Sequence, residues 1–323
     1  MSAAGDPYPP DTLGMSAEEM RRLGHAVVDL VVDRHIQRHA EQVVRGGSPA
    51  ELLRELGGPV PTDPGDPDAA IRRLIESALL RQQHGDHPRY FARVPGPSSF
   101  AAVLGDWLAT GFNTIAASWA GGAGPSAVEL IVVDWLRRLL GMPAGTEGVL
   151  VSGGSLANLT AIAAARAVQG AGVAYLTDQA HACILRGLRT LGFGDEAIRV
   201  LPSDDAFRMD LDQLRQAIAA DRAQGQRPML VTASAGTTNT GAVDPLQELA
   251  DYCEREGLWL HVDGAYGAPA ALTEQGRRLL AGMERADSLV VDPHKWLFQP
   301  YDLGCVLVRR PGALERAFTM NPE

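Results

Sequence analysis

Lysine is almost absent from this chain of 323 residues. Lys295 is the single lysine, and 28 arginines supply the other long cations. The 29 basic side chains are outnumbered by 39 acidic ones, which leaves a formal net charge of −10. Cations so dispersed and outnumbered are poorly suited to hold DNA or RNA phosphates, so we expect no nucleic-acid partner.

Cysteine and long apolar runs are also scarce. The three cysteines are far apart and odd in number, which argues against a disulfide framework or zinc knuckle and suits a reducing cytoplasm. No window approaches ~18 uninterrupted apolar residues, and residues 1–15 hold no apolar stretch of signal-peptide length. We therefore expect a cytoplasmic protein without a membrane partner.

Three regions are expected along the chain: an N-terminal arm and helical segment at 1–87, a large domain at 88–310, and the start of a further carboxyl-terminal region at 311–323. In the arm, Ser16 and Glu19 have the spacing of a capping box, in which each side chain bonds the other residue's amide. Apolar residues follow at helical spacing to about residue 39, and a second helix is expected at about 68–83.

Within the large domain, helical patterns alternate with short apolar, β-branched runs. Helices are expected at 100–110, 126–140, 156–169, 210–224 and 245–256, and strands at 148–151, 173–176, 198–201, 229–233, 258–262, 288–291 and 305–309. Runs that are apolar on both faces and separated by helices indicate a buried, mostly parallel sheet. We predict an α/β fold whose chemistry lies in loops at the carboxyl ends of the strands.

Two of these strand ends carry residues that could contact a ligand, one a phosphate and the other a flat ring. The turn Ser152-Gly153-Gly154-Ser155 joins a strand to a helix start, where glycines permit close approach and free amides with the Ser155 hydroxyl can hold a phosphate. A glycine-serine helix start is also commonly only a turn and cap. His181 follows another strand, where its imidazole could stack on a flat ring or simply make a loop hydrogen bond.

A carboxylate and an amine come at two further strand ends. Asp263 either points from the sheet edge or caps the next turn, and the pair His261 and Asp263 lacks the third ligand that a metal site would need. Lys295 either is a surface lysine or, because Trp296 and other apolar residues follow it, lies partly desolvated with its lone pair available for Schiff-base chemistry. Phosphate cradle, carboxylate and amine together fit pyridoxal phosphate, which needs all three.

Several segments match one known family in order and spacing. They are Asp178-Gln179-Ala180-His181, His261-Val262-Asp263 with Ala265-Tyr266, and Asp292-Pro293-His294-Lys295-Trp296. From Arg89 to Arg309 the chain resembles the group II pyridoxal-phosphate-dependent decarboxylases, the aromatic-L-amino-acid decarboxylase family. The resemblance implies the aspartate-aminotransferase-like type I fold, and a homodimer with active sites at the subunit interface.

The resemblance also implies roles for individual residues. Lys295 would form the Schiff base with the cofactor aldehyde, and Asp263 would pair with the pyridine nitrogen. His181 would stack on one face of the ring and Ala265 would pack against the other. The remaining cofactor contacts are implied for Gly154 and Ser155 with Asp292 and His294 at the phosphate, and for Thr238 at the cofactor or substrate.

Two departures from the family pattern bear on function. Family members are roughly half as long again and continue through a mobile loop and a small carboxyl-terminal domain, and neither is present in this sequence. Arg93 and Ala117 stand where aromatic-specific relatives carry aromatic residues at the substrate pocket, so an acidic or polar substrate is an alternative to an aromatic one.

The expected activity is decarboxylation of an L-amino acid to the amine and CO2. Three alternatives stay open: an aldehyde-forming enzyme with the same cofactor, a catalytically impaired cofactor-binding fragment or subunit, and, more distantly, a metal hydrolase using His261 and Asp263. No metal is expected.

Overall fold

In the computed structural model, which describes residues 14–92, 96–116 and 118–319, the chain divides into two compact units. The first is Met1–Ala92 and the second is Arg93–Glu323. None of the helices in the described ranges is long and apolar enough to cross a membrane. The domain bounds expected from the sequence, at 87 and 310, stay predictions.

The described part of the first unit is helical. Its helices are α1 (Ala17–Gln37), α2 (Pro49–Leu56) and α3 (Pro67–Leu74), the last continuing as a π-helical turn at Ile75–Leu79. The Ser16 hydroxyl accepts from the Glu19 amide at 3.2 Å, as a capping box requires. The Glu19 carboxylate, however, accepts from the Arg22 guanidinium at 2.8 and 2.9 Å. A charge-assisted pair thus takes the place of the expected reciprocal bond, because the guanidinium is the stronger donor.

The second unit is built on a seven-stranded sheet. Its strands are β1 (Glu147–Val151), β2 (Val173–Thr177), β3 (Ile198–Leu201), β4 (Pro228–Ser234), β5 (Trp259–Asp263), β6 (Ser288–Val291) and β7 (Gly304–Val308). They lie in the order β1-β7-β6-β5-β4-β2-β3, and β7 runs antiparallel to both of its neighbours. The other four pairs are parallel. The prediction of an α/β fold with a mostly parallel sheet is confirmed.

Helices cover both faces of this sheet. The helices of the second unit are α4 (Phe100–Gly111), α5 (Trp119–Leu139), α6 (Gly154–Gln169), α7 (Ala182–Thr190), α8 (Leu211–Ala223), α9 (Leu246–Glu256), α10 (Glu274–Leu279), α11 (Pro293–Trp296) and α12 (Ala313–Phe318). Alternation along β5 shows the layering: Leu260 and Val262 join the core with α5, α8 and α9, and Trp259 joins the core with α6, α7 and α12. Successive side chains of a strand point to opposite faces, so each strand serves two cores.

The topology brings several chain segments to one edge of the sheet. Strands β1, β2, β4, β5 and β6 run in the same direction, so the segments that follow them meet at their common carboxyl edge. Strand β7 begins there, and its Gly304 packs on the Gly153 backbone so closely that a Cβ would lie 2.5 Å from the Gly153 carbonyl carbon. Only glycine permits this approach, which fixes the turn between β1 and α6.

Candidate functional site

Lys295 is held at the carboxyl edge by the short helix α11, directly after β6. Its Nζ lies 3.0 Å from Oδ2 of Asp292, three residues earlier and one helical turn away. The Lys295 side chain is 19% exposed and that of Asp292 only 3%. The amine is therefore largely withdrawn from solvent and paired with a buried carboxylate, unlike a surface lysine.

His294 lies beside this pair and is buried. Its Nδ1 accepts from the Leu303 amide at 2.9 Å, so a neutral ring carries its proton on Nε2. Nε2 lies 3.8 Å from Asp292 Oδ2, which is longer than a hydrogen bond. The Nε2–H of His294 can therefore donate to a ligand at this edge.

The start of α6 forms the glycine turn expected from the sequence. Gly153 has a φ of +110°, a conformation that glycine adopts without steric cost, and no side chain caps the helix. The first amides of a helix have no acceptor within it and attract anions. The Ser155 hydroxyl belongs to an exposed residue in the first turn. Amides and hydroxyl together make a site suited to a phosphate.

Asp292 approaches this helix start closely. A Cβ on Gly154 would lie 2.6 Å from Asp292 Oδ2, so any side chain at that position would displace the carboxylate. The other oxygen, Oδ1, is buried and has no hydrogen-bond partner among the described residues. Because a buried polar atom without a partner is costly, this oxygen marks a point where a bound group would complete the hydrogen bonding.

Asp263 ends β5 with its carboxylate fixed by two donors. Oδ2 accepts from Asn158 Nδ2 at 3.2 Å, and Oδ1 accepts from the Ala265 amide at 3.1 Å. The carbonyl of Ala265 in turn accepts from the Asp292 amide at 3.2 Å. The backbone of Ala265 therefore joins the segment of the acid to the segment that carries the lysine. A carboxylate has about four acceptor positions, so Asp263 keeps capacity for a further donor.

His261 is completely buried two residues before Asp263. Its Nε2 lies 2.8 Å from Asn158 Oδ1 and its Nδ1 lies 2.9 Å from Ser288 Oγ. Burial lowers its pKa to about 4, although the negative charge of Asp263 acts in the opposite direction. Both ring nitrogens are engaged, so the metal-pair interpretation of His261 and Asp263 has no imidazole nitrogen to use.

Cys183 is a buried thiol beside Asn158. It lies in the first turn of α7, and its Sγ is 3.4 Å from Asn158 Nδ2. Burial raises the pKa of this thiol to about 11, and the charge of Asp263 adds to that effect. Hydrogen bonds with Asn158 and Ser155 and the charge of Lys295 act in the opposite direction. The Asn158 amide therefore contacts both the thiol and the Asp263 carboxylate.

The other predicted residues are placed less directly. His181 is the N-cap of α7, where its Nδ1 accepts from the Cys183 amide at 3.3 Å, and it is exposed. Thr238 lies in an exposed turn after β4. Both stand at the same edge as Lys295, and their roles stay predictions. Arg93 and Ala117 lie outside the described residues.

Sequence reasoning missed Asn158 and Cys183 as members of the site. The available signal was a polar amide on an otherwise apolar helix face, four residues after Gly154 and three before the buried Ala161. A buried amide in that setting needs partners, and here they are His261 and Asp263, more than 100 residues away in sequence.

Comparison with known proteins agrees with this geometry. Residues 60–323 match the family model described as "Pyridoxal-dependent decarboxylase conserved domain". The chain belongs to the pyridoxal-dependent decarboxylase family. This confirms the resemblance found in the motifs, and the residues of the carboxyl edge fit the cofactor that the family name gives: a near-buried amine, a fixed carboxylate, an uncapped helix start and an unsatisfied buried oxygen.

Individual family members are similar over nearly the whole chain. An aromatic-L-amino-acid decarboxylase of Bacillus atrophaeus is 44% identical over 320 residues, which cover 97% of this chain and 66% of that protein. A phenylacetaldehyde synthase of Petunia hybrida is 32% identical over 326 residues, which cover 96% of this chain and 64% of that protein. The crystal structure of Oryza sativa TDC with PLP and tryptamine superposes with a TM-score of 0.89 at 31% identity, covering 95% and 67%. The chain spans 62–66% of the length of the first curated relatives it matches.

Proposed function

We propose that this chain catalyses the pyridoxal-phosphate-dependent decarboxylation of an aromatic L-amino acid to the amine and CO2. One observation carries the proposal: the single lysine, 19% exposed, and the doubly hydrogen-bonded Asp263 stand on segments joined through the Ala265 backbone. An amine and a fixed acid at one sheet edge are what this cofactor requires at its aldehyde and its ring nitrogen.

The residues would divide the cofactor between them. Lys295 would hold the aldehyde carbon, and Asp263 the ring nitrogen. His181 and Ala265 would lie against the two faces of the ring, and Thr238 would contact the cofactor or the substrate. The phosphate would lie at the start of α6, where the amides of Gly154 and Ser155, the Ser155 hydroxyl and the Nε2–H of His294 are donors.

Asp292 has a different task in this arrangement. An ionised carboxylate only accepts hydrogen bonds and repels a phosphate. The resemblance placed Asp292 at the phosphate, but its 3.0 Å contact with Lys295 favours a role as the counter-ion of the amine. We therefore assign to Asp292 the holding and orientation of Nζ.

Pyridoxal phosphate supplies, when bound, an aldehyde for the substrate amine and a protonated ring that takes up the electron pair of the bond broken at Cα. The chain's own residues make that chemistry possible. The Asp263 carboxylate would lie at the ring nitrogen, where an adjacent negative charge favours the protonated ring. The Lys295 amine would hold the aldehyde carbon of the cofactor.

The aromatic substrate class is supported by the relatives, whose printed names include aromatic-L-amino-acid decarboxylase at 44% identity. Arg93 and Ala117 are the residues we expect to shape the substrate pocket, and an arginine there is the feature that would favour an acidic side chain instead. A panel of aromatic and acidic L-amino acids separates these two classes.

We further propose a homodimer in the cytoplasm. Helix α5 carries a stripe of apolar side chains, each 49–61% exposed, at helical spacing: Val128, Ile131, Trp135 and Leu139. The opposite face of α5, with Val133 and Leu136, is buried in the core. A second apolar face on one helix favours a protein partner, and we assign it to a second copy of this chain. The three free, buried cysteines suit a reducing compartment.

The decisive experiment titrates the apoprotein with pyridoxal phosphate, follows the visible absorption band, and then assays amine and CO2. Tight binding with one amine per CO2 supports the proposal. Aldehyde, hydrogen peroxide and ammonia in place of amine, with uptake of O2, would identify the aldehyde-forming alternative. Binding without turnover would identify the impaired alternative, and no binding would overturn the cofactor assignment.

A further inference from the structure

His261 is the residue of the sequence motifs that the proposed function leaves without a task. It lies on the same face of β5 as Trp259 and Asp263, because alternate residues of a strand share a face. Ser288 lies beside it on β6, in register with His261. Asn158 reaches this face from α6 and contacts both His261 and Asp263.

These contacts form an unbroken series of buried hydrogen bonds. Trp259 Nε1 lies 2.9 Å from Ser288 Oγ, and Ser288 Oγ lies 2.9 Å from His261 Nδ1. His261 Nε2 lies 2.8 Å from Asn158 Oδ1, and Asn158 Nδ2 lies 3.2 Å from Asp263 Oδ2. All but Asp263 are at most 1% exposed.

The direction of every bond follows from its two ends. The Asp263 carboxylate only accepts, so Asn158 must present its amide nitrogen to it and its carbonyl oxygen to His261. The carbonyl oxygen only accepts, so the imidazole proton is on Nε2. Burial keeps the ring neutral, so Nδ1 accepts from the Ser288 hydroxyl, whose oxygen accepts from the Trp259 indole.

We propose that Asn158 and His261 are positioning residues that hold the Asp263 carboxylate in the orientation needed at the cofactor's ring nitrogen. The inference rests on the proposed function. All four donors in this series of hydrogen bonds point toward Asp263, and aligned hydrogen bonds polarise one another. The neutral ring orients the Asn158 amide, and that amide fixes Oδ2 while the Ala265 amide fixes Oδ1.

If these hydrogen bonds had a merely structural role, they would only satisfy the buried polar groups of the core. Two observations favour positioning. The Asn158 amide donates to Asp263, the carboxylate that ends β5 at the site. Asp263 is also the only residue of this hydrogen-bond network that is partly exposed. The network therefore ends at a group that faces the site. Disturbing it should change the affinity for the cofactor and the protonation of its ring nitrogen, and not only the stability of the protein.

The test compares Asn158→Leu, His261→Leu and His261→Gln in the full chain. The glutamine carries a donor near the position of Nε2, so His261→Gln is the conservative variant. The readouts are the dissociation constant of pyridoxal phosphate and the ¹⁵N resonance of cofactor labelled at the ring nitrogen. We expect Asn158→Leu to raise the dissociation constant about tenfold, as for loss of a hydrogen bond to a charged group. His261→Leu should raise it by a smaller factor, because it removes a bond to the neutral Asn158 amide. Both variants should move the resonance toward the neutral ring. His261→Gln should restore both.

Tyr175→Phe provides the matched control, because it removes another fully buried hydrogen bond of the sheet, from Tyr175 Oη to Asp221 at 2.7 Å. It should lower the melting temperature but leave both cofactor readouts unchanged. Wild-type readouts in the leucine variants would overturn the inference while the proposed function stands. Failure of the wild type to bind pyridoxal phosphate would overturn the proposed function, and the inference with it. If Asn158→Leu does not fold, the two His261 variants decide.

Discussion

The Nζ atom of Lys295 lies 3.0 Å from Oδ2 of Asp292, and both belong to the turn that follows β6. Attack on an aldehyde needs a nucleophilic amine. Asp292 accepts a hydrogen bond from that amine and so fixes where it lies. The turn after β6 therefore both carries the amine and orients it.

Lys295→Arg distinguishes the positive charge of residue 295 from its nucleophilic amine. Arginine keeps a cation that can pair with Asp292, but it is not a nucleophilic amine at neutral pH. We expect the variant to fold with a melting temperature close to that of the wild type and to form no covalent link with pyridoxal phosphate. Borohydride reduction followed by peptide mass spectrometry checks this, since only the wild type should retain the cofactor on residue 295.

Lys295→Ala is the companion variant, in which the Asp292 carboxylate loses its cation as well. It should be less stable than Lys295→Arg, because a buried carboxylate without its partner is unfavourable. Cofactor retained covalently by either variant after reduction would show that Lys295 is not the anchor.

Gly154→Ala should disturb the site with a single methyl group. The added Cβ would lie 2.6 Å from Asp292 Oδ2, so the carboxylate must move and its contact with Lys295 must lengthen. We expect an overpacking cost of about 1–3 kcal/mol in the free energy of unfolding. We also expect about a tenfold weaker binding of pyridoxal phosphate, as for loss of one hydrogen bond to a charged group. Denaturant unfolding and a cofactor titration measure the two effects.

Gly105→Ala provides the control for helix glycines. Nothing lies within 4 Å of a Cβ at Gly105, in the interior of α4. This change should stabilise the protein by about 0.5–1 kcal/mol and leave cofactor binding unaltered. Equal cofactor affinities in the two variants would show that the start of α6 does not contribute to the cofactor site.

The seven strands were predictable because each is a short apolar run served by two cores. The predicted runs at 198–201 and 288–291 coincide with β3 and β6, and the others differ by at most one residue at either end. Five helices were not predicted: α2, α7, α10, α11 and α12. Each has nine residues or fewer, and α7 begins inside the segment after β2 that was interpreted as a loop. Such short segments offer too few turns for an apolar period to stand out.

The strand-end residues of the site could be predicted from topology, but their hydrogen bonding could not. Asp263 and Lys295 follow strands whose common direction brings their ends together, which the order of elements implies. The partner of Asp263 is Asn158, 105 residues earlier in the chain, and nothing local to either residue selects the other. The pairing depends on how α6 lies on the sheet, which single-sequence periodicity does not specify.

Trp135→Glu should break the proposed dimer. Trp135 is 60% exposed in the centre of the apolar stripe of α5, so a carboxylate there would be buried only if a second copy covers the stripe. Light scattering should give twice the 34.4 kDa chain mass for the wild type and the chain mass for the variant. Gln216→Glu on the exposed face of α8 adds the same charge and should leave the dimer intact. A variant that remains a dimer would assign the stripe to another partner.

His261 should make stability depend on pH below neutrality. Its pKa is about 4 in the folded chain, chiefly because of burial, against 6.5 ordinarily. Between these values the unfolded chain binds more protons than the folded one, so the free energy of unfolding falls as the pH is lowered from about 6.5 toward 4. At 1.36 kcal/mol per pKa unit, the whole contribution is about 3 kcal/mol. Below pH 4 the folded ring is also protonated, and the contribution stops changing.

The difference in unfolding free energy between the wild type and His261→Gln isolates this contribution, because the other titrating groups are common to both proteins. Urea unfolding at several pH values between 4 and 7 measures it. The wild type should lose up to about 3 kcal/mol relative to His261→Gln as the pH falls across this range. A difference that stays constant with pH would mean that burial does not lower the pKa of His261, so that the folded ring would already be protonated below about pH 6.5.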